Sequence, residues 1–394
     1  MAHNMKRYLV FILLALVVLS CSTRPPVRES GVEFPPPSQV EIPPSPESFY
    51  LTIVAAGDNI IHDPLLIASY RNGAYNFDSI YEKIKAYTAA SDIAFVNQET
   101  ILGNKTIGYS GYPEFSTPRE AGAALAAAGF DVVSQATNHV MDKGEAGVLS
   151  TMDYWESVEG IRYLGIHRSE DDRLNHPVII SKNNFRIGFL AYTYGTNAIP
   201  LPRGKPYLVS LINRETMAKE IDALRPLCDY LVVSVHWGDE YSPEPSPYQT
   251  GLAAFLAGHN VDLVIGHHPH VLQRFEVLPR YDGKNTLCFY SLGNFLSAHF
   301  RPEKEVLLGG LAYVKLKKTG ENVSVEETGF IPTITHYDAK QTGFLVYPLS
   351  EYTEELAEKH WKRTNDRNMT LDFFNNKARE LFGPALILRN PFAQ

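Results

Sequence analysis

The stretch "VDLVIGHHPHVLQ", residues 261–273, sets a largely apolar run, Val261–Ile265, against three imidazoles at His267, His268 and His270. A short apolar run closed by glycine reads as a buried strand, and Gly266 closes this one. The chain has 13 histidines, and three of them within four positions suggest ligands, because neutral imidazole is the commonest metal-binding side chain. One cluster decides little. In an open α/β fold, however, ligands gather beyond the carboxyl ends of several strands, so neighbouring strands should end in the same way.

They do. "FYLTIVAAGD" (49–58) ends in Asp58, with His62 four residues on, and "DIAFVNQET" (92–100) ends in Asn97 and Glu99. "FDVVSQATNH" (130–139) brings Asn138 and His139, followed by Asp142. "YLVVSVHWG" (230–238) brings His236 and Trp237, with Tyr241 just beyond, and "TLCFYSLGNF" (286–295) brings Asn294. Helical patterns separate these runs at 77–90, 144–158, 214–227 and 246–257. Another opens at Thr117-Pro118-Arg119-Glu120, with a capping threonine, a first-turn proline and a capping-box glutamate. Strands alternating with helices predict a largely parallel sheet. The hairpin pattern turning at Asn183-Asn184 and the late strands 286–295, 309–318 and 322–332 predict a second, more mixed one.

The formal charge of −8, from 36 basic and 44 acidic residues, offers no basic footprint for nucleic acid. Lys6 and Arg7 precede the apolar run Tyr8–Leu19, too short to span a bilayer comfortably but suited to a signal-peptide core. Val18-Leu19-Ser20-Cys21 resembles a bacterial lipoprotein cleavage box, which would make 1–21 a leader and Cys21 the lipidated residue. A plain signal peptide or short anchor is the other reading. Each places the body outside the cytoplasm, on the outer face of the cytoplasmic membrane, in the periplasm or at the outer membrane. Eight prolines in 22–49 describe an extended stalk. The body is expected over 50–345 and a helical cap over 346–394. Cys228 and Cys288 sit in apolar runs and read as buried free thiols.

Mixed carboxylate, amide and imidazole donors suit Mn, Fe or Zn, as one or two ions, better than Ca or Mg alone. Asn138-His139 pairs a ligating oxygen with an imidazole able to act as an acid. Several of these residues have plainer readings: His236 as a core histidine, Glu99 as a cap, Asp142 as a loop brace, and Trp237 and Tyr241 as packing or groove lining. His259 reads as a helix C-cap, and His167 lies in a loop that could approach the site.

Together "GDNIIHD" (57–63), "VNQET" (96–100), "TNHVMDKG" (137–144), "HWGDEY" (236–241), "DLVIGHHPHVLQ" (262–273) and "YSLGNF" (290–295) resemble the bacterial capsule-synthesis family CapA, the poly-γ-glutamate biosynthesis proteins. That resemblance implies a metallophosphoesterase-like fold, a four-layer α/β sandwich with two mixed β-sheets flanked by helices. It implies Asp58, Glu99, Asn138, His236, His267 and His270 as metal ligands and His139 as the catalytic imidazole. His62, Asn97, Asp142, Trp237, Tyr241, His268 and Asn294 would support the site or touch substrate. The choice between His267 and His268 stays open. Ile60 stands where metallophosphoesterases carry a histidine, and "NQE" replaces their bridging aspartate, so a one-ion site is as compatible as two. The implied function is synthesis, release or trimming of an anionic surface polymer or its precursor by metal-assisted hydrolysis of a phosphoester or γ-glutamyl amide. The alternative is a non-catalytic accessory subunit of a membrane-embedded synthase.

Overall fold

Alternate residues of a strand leave on opposite faces of its sheet, and here both faces are apolar. The computed structural model describes residues 47–301 and 303–393; the leader, Cys21 and nearly all of the proline-rich stalk lie outside the described residues. In chain order the strands are β1 Ser48–Asn59, β2 Tyr70–Arg71, β3 Ala74–Tyr75, β4 Ile93–Gln98, β5 Val132–Ser134, β6 Arg162–Leu164, β7 Val178–Lys182 and β8 Phe185–Thr193. Then come β9 Tyr230–His236, β10 Leu263–His267, β11 Leu272–Pro279, β12 Asn285–Leu292, β13 Asn294–Leu296, β14 Leu308–Thr319, β15 Asn322–His336 and β16 Leu345–Pro348.

One sheet runs β16-β15-β14-β1-β4-β5-β6, with β13 also on β1; the other runs β11-β12-β10-β9-β8-β7. Both are mixed. β1, β4, β5 and β6 are mutually parallel, whereas β14 is antiparallel to β1. In the second sheet β8, β9, β10 and β12 are parallel, with antiparallel edges at β7 and β11.

Inward residues Ile187, Phe189, Val232, Ile265 and Phe289 of the second sheet share one buried cluster with Ile53, Phe95 and Leu311 of the first. Their neighbours in sequence, Leu231, Val233, Val235, Val264 and Cys288, face the helices Arg214–Leu224 and Pro247–Gly258. Helix Arg119–Ala127 buries Ala121, Ala124 and Leu125 in the cluster that holds the first sheet. The late helix Leu371–Phe382 stacks Phe382 on Phe330 of β15. The result is the four-layer sandwich of two mixed sheets between helices.

Several expectations are met closely. Asn183 and Asn184 both take positive φ at the β7–β8 turn, as a two-residue hairpin demands, and Cys228 and Cys288 are buried and free. Two differ. Thr117 does not cap its helix: its backbone bridges to Leu102 and its hydroxyl pairs with Thr100 Oγ1 at 2.7 Å. The 77–90 helix is broken into Asp78–Tyr81 and Lys85–Thr88, because Ile80, Tyr81 and Ile84 all turn inward and Tyr81 donates to Asn59. Tertiary contact overrides local propensity there.

The site end of the sandwich is set by register. Asp58 lies opposite both Asn97 and Asn294, and His267 lies opposite His236. A glycine precedes Asp58 and His267 for a steric reason. A Cβ at Gly57 would stand 2.1 Å from the Gly293 carbonyl oxygen, and one at Gly266 would stand 1.9 Å from that of Tyr290. Because both obstacles are main chain, neither can swing aside. Gly266→Ala should therefore destabilise the fold by roughly 3 kcal/mol or more, read as a lowered urea midpoint. An unchanged midpoint would show that β10 and β12 are not packed this closely.

Candidate metal centre

Asp58 is fully buried, and its own strand cannot neutralise it. It accepts from Asn97 Nδ2 at 2.9 Å and from the His268 backbone N–H at 3.1 Å, and His270 Nδ1 lies 3.2 Å away. His267 Nδ1 also approaches to 3.2 Å, but off the line of a hydrogen bond. Burial alone would raise the Asp58 carboxyl; the facing His267 and His270 imidazoles outweigh it and hold the group well below the usual carboxylate range.

Glu99 is the opposite case. It is 1% exposed, and neither carboxylate oxygen has a hydrogen-bond partner. The nearest imidazole nitrogens are His270 Nε2 at 3.7 Å and His236 Nε2 at 3.8 Å. Burial pushes its pKa well above the ordinary value, with His270 opposing and Asp58 reinforcing the shift. A buried carboxylate without donors is costly unless a cation completes it. Asn97 Oδ1, His268 Nδ1 and both His267 ring nitrogens are likewise buried without partners. The unpartnered Glu99 oxygens, Asn97 Oδ1 and His268 Nδ1 are donors that a divalent ion would satisfy.

Two donor sets have ligand atoms within 4.8 Å of one another: Asp58, Glu99 and His236, and Glu99, His268 and His270. Glu99 is common to both, as a bridging carboxylate would be. Asn138 Oδ1 lies 2.9 Å from His236 Nε2, at the edge of the first set. The turn after β10 separates the three histidines. His268 and His270 take φ of 96° and 59°, a left-handed pair that turns both rings toward Glu99, at about 1–3 kcal/mol of strain each. The sequence resemblance names His267 with His270 as ligands, gives His268 a supporting place, and leaves the choice between His267 and His268 open. In the structure His268 joins the set, and His267 lies behind Asp58 against Phe95.

Burial, with His270 nearby, lowers His268 to about 3, so it is a neutral imidazole ready to ligate. His270 is raised to about 9, because Glu99 and Asp58 outweigh its burial. His236 is lowered by burial and by His268.

His139 and Asp142 form a separate unit. Nδ1 of His139 meets Asp142 Oδ2 at 2.8 Å, and the same oxygen accepts from the Phe115 backbone at 2.7 Å. Phe115 presents its edge to the His139 ring at 4.7 Å. A small cavity of about 80 Å3 opens here, lined by Glu99, His139, His270, His62 and Tyr241. His62 accepts from the Ala298 backbone, and burial lowers it to about 3. Asn294 Oδ1 faces His270 Nδ1 at 3.1 Å.

Trp237 is not at the site. It is fully buried, stacked on Tyr290, and donates to the Tyr290 carbonyl. His167 does not reach it either. It bonds Ser210 and lines a larger cavity of about 750 Å3 at the sheet edges, which shares no residue with the small one. His259 caps helix Pro247–Gly258 and meets Asp222 at 3.0 Å.

Residues 52–299, more than half of the chain, match the family described as bacterial capsule synthesis protein PGA_cap. The chain belongs to this family. Its curated relatives include the capsule biosynthesis protein CapA of Bacillus anthracis, 31% identical over 232 residues, covering 56% of this chain and 54% of that one. The PGA biosynthesis protein CapA of Bacillus subtilis (strain 168) is 29% identical over 226 residues, covering 56% and 57%. The chain thus spans about half the length of the curated relatives it matches. Among solved structures it is similar to the calcineurin-like phosphoesterase YfkN from Bacillus subtilis, at 12% identity, TM-score 0.44, and 84% and 100% coverage. It is also similar to a 5'-nucleotidase precursor from Thermus thermophilus, at 13% identity, TM-score 0.43, and 73% and 54% coverage. No residue role is carried over from these two.

The cavity wall of this capsule-synthesis family member also uses residues to which the sequence assigned no role. His299 meets Tyr241 Oη at 2.8 Å, while Tyr112, Phe115, Glu240 and Arg301 complete the rim. Tyr194 tilts over His268 at 4.6 Å. His299 was discoverable as the histidine that follows "YSLGNF" by four positions; the others sit in loops with no periodic pattern.

Glu99 supplies the prediction. Without an ion, a carboxyl with a raised pKa costs stability at neutral pH, and the cost fades as pH falls toward its ordinary value of 4.5. Glu99→Gln should therefore raise the melting temperature of chelated protein at pH 7, less so near pH 5. The same variant should lose the stabilisation that added Mn or Zn gives the wild type. A chelated variant less stable than wild type at pH 7 would contradict the site as described.

Proposed function

We propose that this capsule-synthesis family member is an exported, lipid-anchored hydrolase acting on an anionic surface polymer or its precursor. Its site would hold one or two divalent ions (Mn, Fe or Zn) through Asp58, Glu99, Asn138, His236, His268 and His270. The observation that carries this reading is the buried Glu99 carboxylate, without a donor and facing imidazoles on two sides. The basic and then apolar leader ending at Cys21 supports the anchor.

When bound, a divalent ion there would supply an activated water and orient the bond it attacks. The chain's own residues account for the rest. Asp58 and Glu99 bring the negative charge that balances cations. Asp142 occupies Nδ1 of His139, which leaves Nε2, when it carries a proton, to give it to the departing group. Phe115 meets that imidazole at right angles and fixes its plane. Neutral His62 and the Tyr241–His299 pair line the entry. The scissile bond on this reading is a phosphoester or a γ-glutamyl amide, and synthase subunits in the membrane are the natural neighbours.

Purified protein should contain a divalent metal and hydrolyse a chromogenic phosphodiester or a γ-glutamyl anilide, with the activity lost to chelator. His139→Ala should cut turnover about 10²–10⁴-fold while retaining the metal; His236→Ala should lose the metal itself. Metal-free protein, together with full polymer production in cells carrying His236→Ala, would sink the catalytic reading and leave a polymer-binding accessory role. For the anchor, Cys21→Ser should move the protein from the membrane fraction to the soluble one.

A further inference from the structure

What the site admits can be read from its rim, on the assumption that the buried cluster is the working centre proposed above. A cavity of about 80 Å3 holds roughly five to eight water-sized groups at ~10–15 Å3 each. It suits the end of a chain and not a chain running through. Beyond the buried Glu99 and His270 of the metal centre, two charged side chains of opposite sign line it, Arg301 and Glu240, and both are exposed at the mouth. Neither forms an ion pair among the described residues.

Arg301 is held in place by more than its own loop. Its guanidinium lies over the Tyr241 ring at 4.4 Å, a cation–π contact. Stacking occupies the guanidinium face and leaves the edge N–H donors for a planar anion. Its backbone N–H donates to His299 Nδ1 at 3.3 Å, and its carbonyl accepts from the amine of Lys362. Lys362 is only 2% exposed, an unusual placement for lysine. Lys304 adds a bond to Asp366 at 2.8 Å. The late segment 362–366 therefore clamps the loop that carries Arg301. Arg301 and Lys362 both lie beyond the 52–299 span matched to the family.

We propose that Arg301 and Glu240 form a clamp for an α-amino-acid zwitterion, the carboxylate on Arg301 and the ammonium on Glu240, so that the site takes the amino end of a γ-linked glutamyl chain. The chemistry singles out that end. In a γ-linked chain the first residue keeps both its α-amine and its α-carboxylate free. An α-linked peptide has no residue with both, and a phosphoester has neither.

Calorimetric titration of the full-length protein, with and without Mn, tests this directly. γ-Glutamylglutamate should bind saturably, and its N-acetylated form and α-glutamylglutamate should each bind at least about tenfold more weakly. Arg301→Gln should weaken the γ-dipeptide about tenfold and erase its advantage over the α-linked one. Glu240→Gln should erase its advantage over the acetylated one. Unchanged circular dichroism and melting would show that both variants fold. Binding of the three dipeptides within twofold of one another, no saturable binding of the γ-dipeptide, or unchanged selectivity in both variants would overturn the clamp. Chelator-sensitive phosphodiester hydrolysis without zwitterion binding would overturn the clamp and leave the proposed hydrolase standing. Selective zwitterion binding by a protein that turns over no substrate with any ion would do the reverse.

Discussion

The structure turns on a buried charge that belongs to neither sheet alone. Asp58 ends the central strand of the first sheet, yet its carboxylate is met by the His268 backbone and the His270 ring, from the turn that follows a strand of the second. Its backbone N–H is bonded to Gly293. An isolated carboxylate at that depth would be prohibitive; met from both sheets, it becomes the tie that fixes their ends against each other. Gly57 and Gly266 follow from the same constraint, because the tie requires main chains closer than any Cβ permits.

Much of this was legible in the sequence, for reasons that can be traced to residues. Apolar runs that stop at Asp58, Glu99, His139, His236 and His267 announce parallel strands with a common functional edge, since strand period and strand end are local properties. The Asn183-Asn184 turn is local too. Illegible were the features set by three-dimensional packing. Which of His267 and His268 faces Glu99 depends on a left-handed pair around Pro269, a backbone choice made by the Asp58 contact and invisible in "GHHPH". Trp237 lies between His236 and the loop of Tyr241, but strand alternation sends it into the helix-facing core. Thr117 carries a capping signature and spends its hydroxyl on Thr100.

The late segment shows a further limit of motif reading. Residues 361–366 read as polar helix and cap, but their chemical role is tertiary: a nearly buried lysine holds a carbonyl 61 positions earlier in the chain. Sequence pattern shows lysine as solvent-facing by default, so a lysine used as an internal strut leaves no trace in it. One edge of the rim, at Phe300 and Arg301, is consequently built by residues just outside the matched span, while the rest of the rim and the floor are built by residues inside it.

The candidate donors are spread from Asp58 to His270, with no two sets drawn from one local motif. A partly made chain ending before β10 possesses Asp58, Glu99, Asn138 and His236 but lacks His268 and His270, so the second donor set is missing. Filling both donor sets on such a plan would be a late event, since it waits for the turn after β10. A cation held by both sets would then act as a molecular lock on a finished fold.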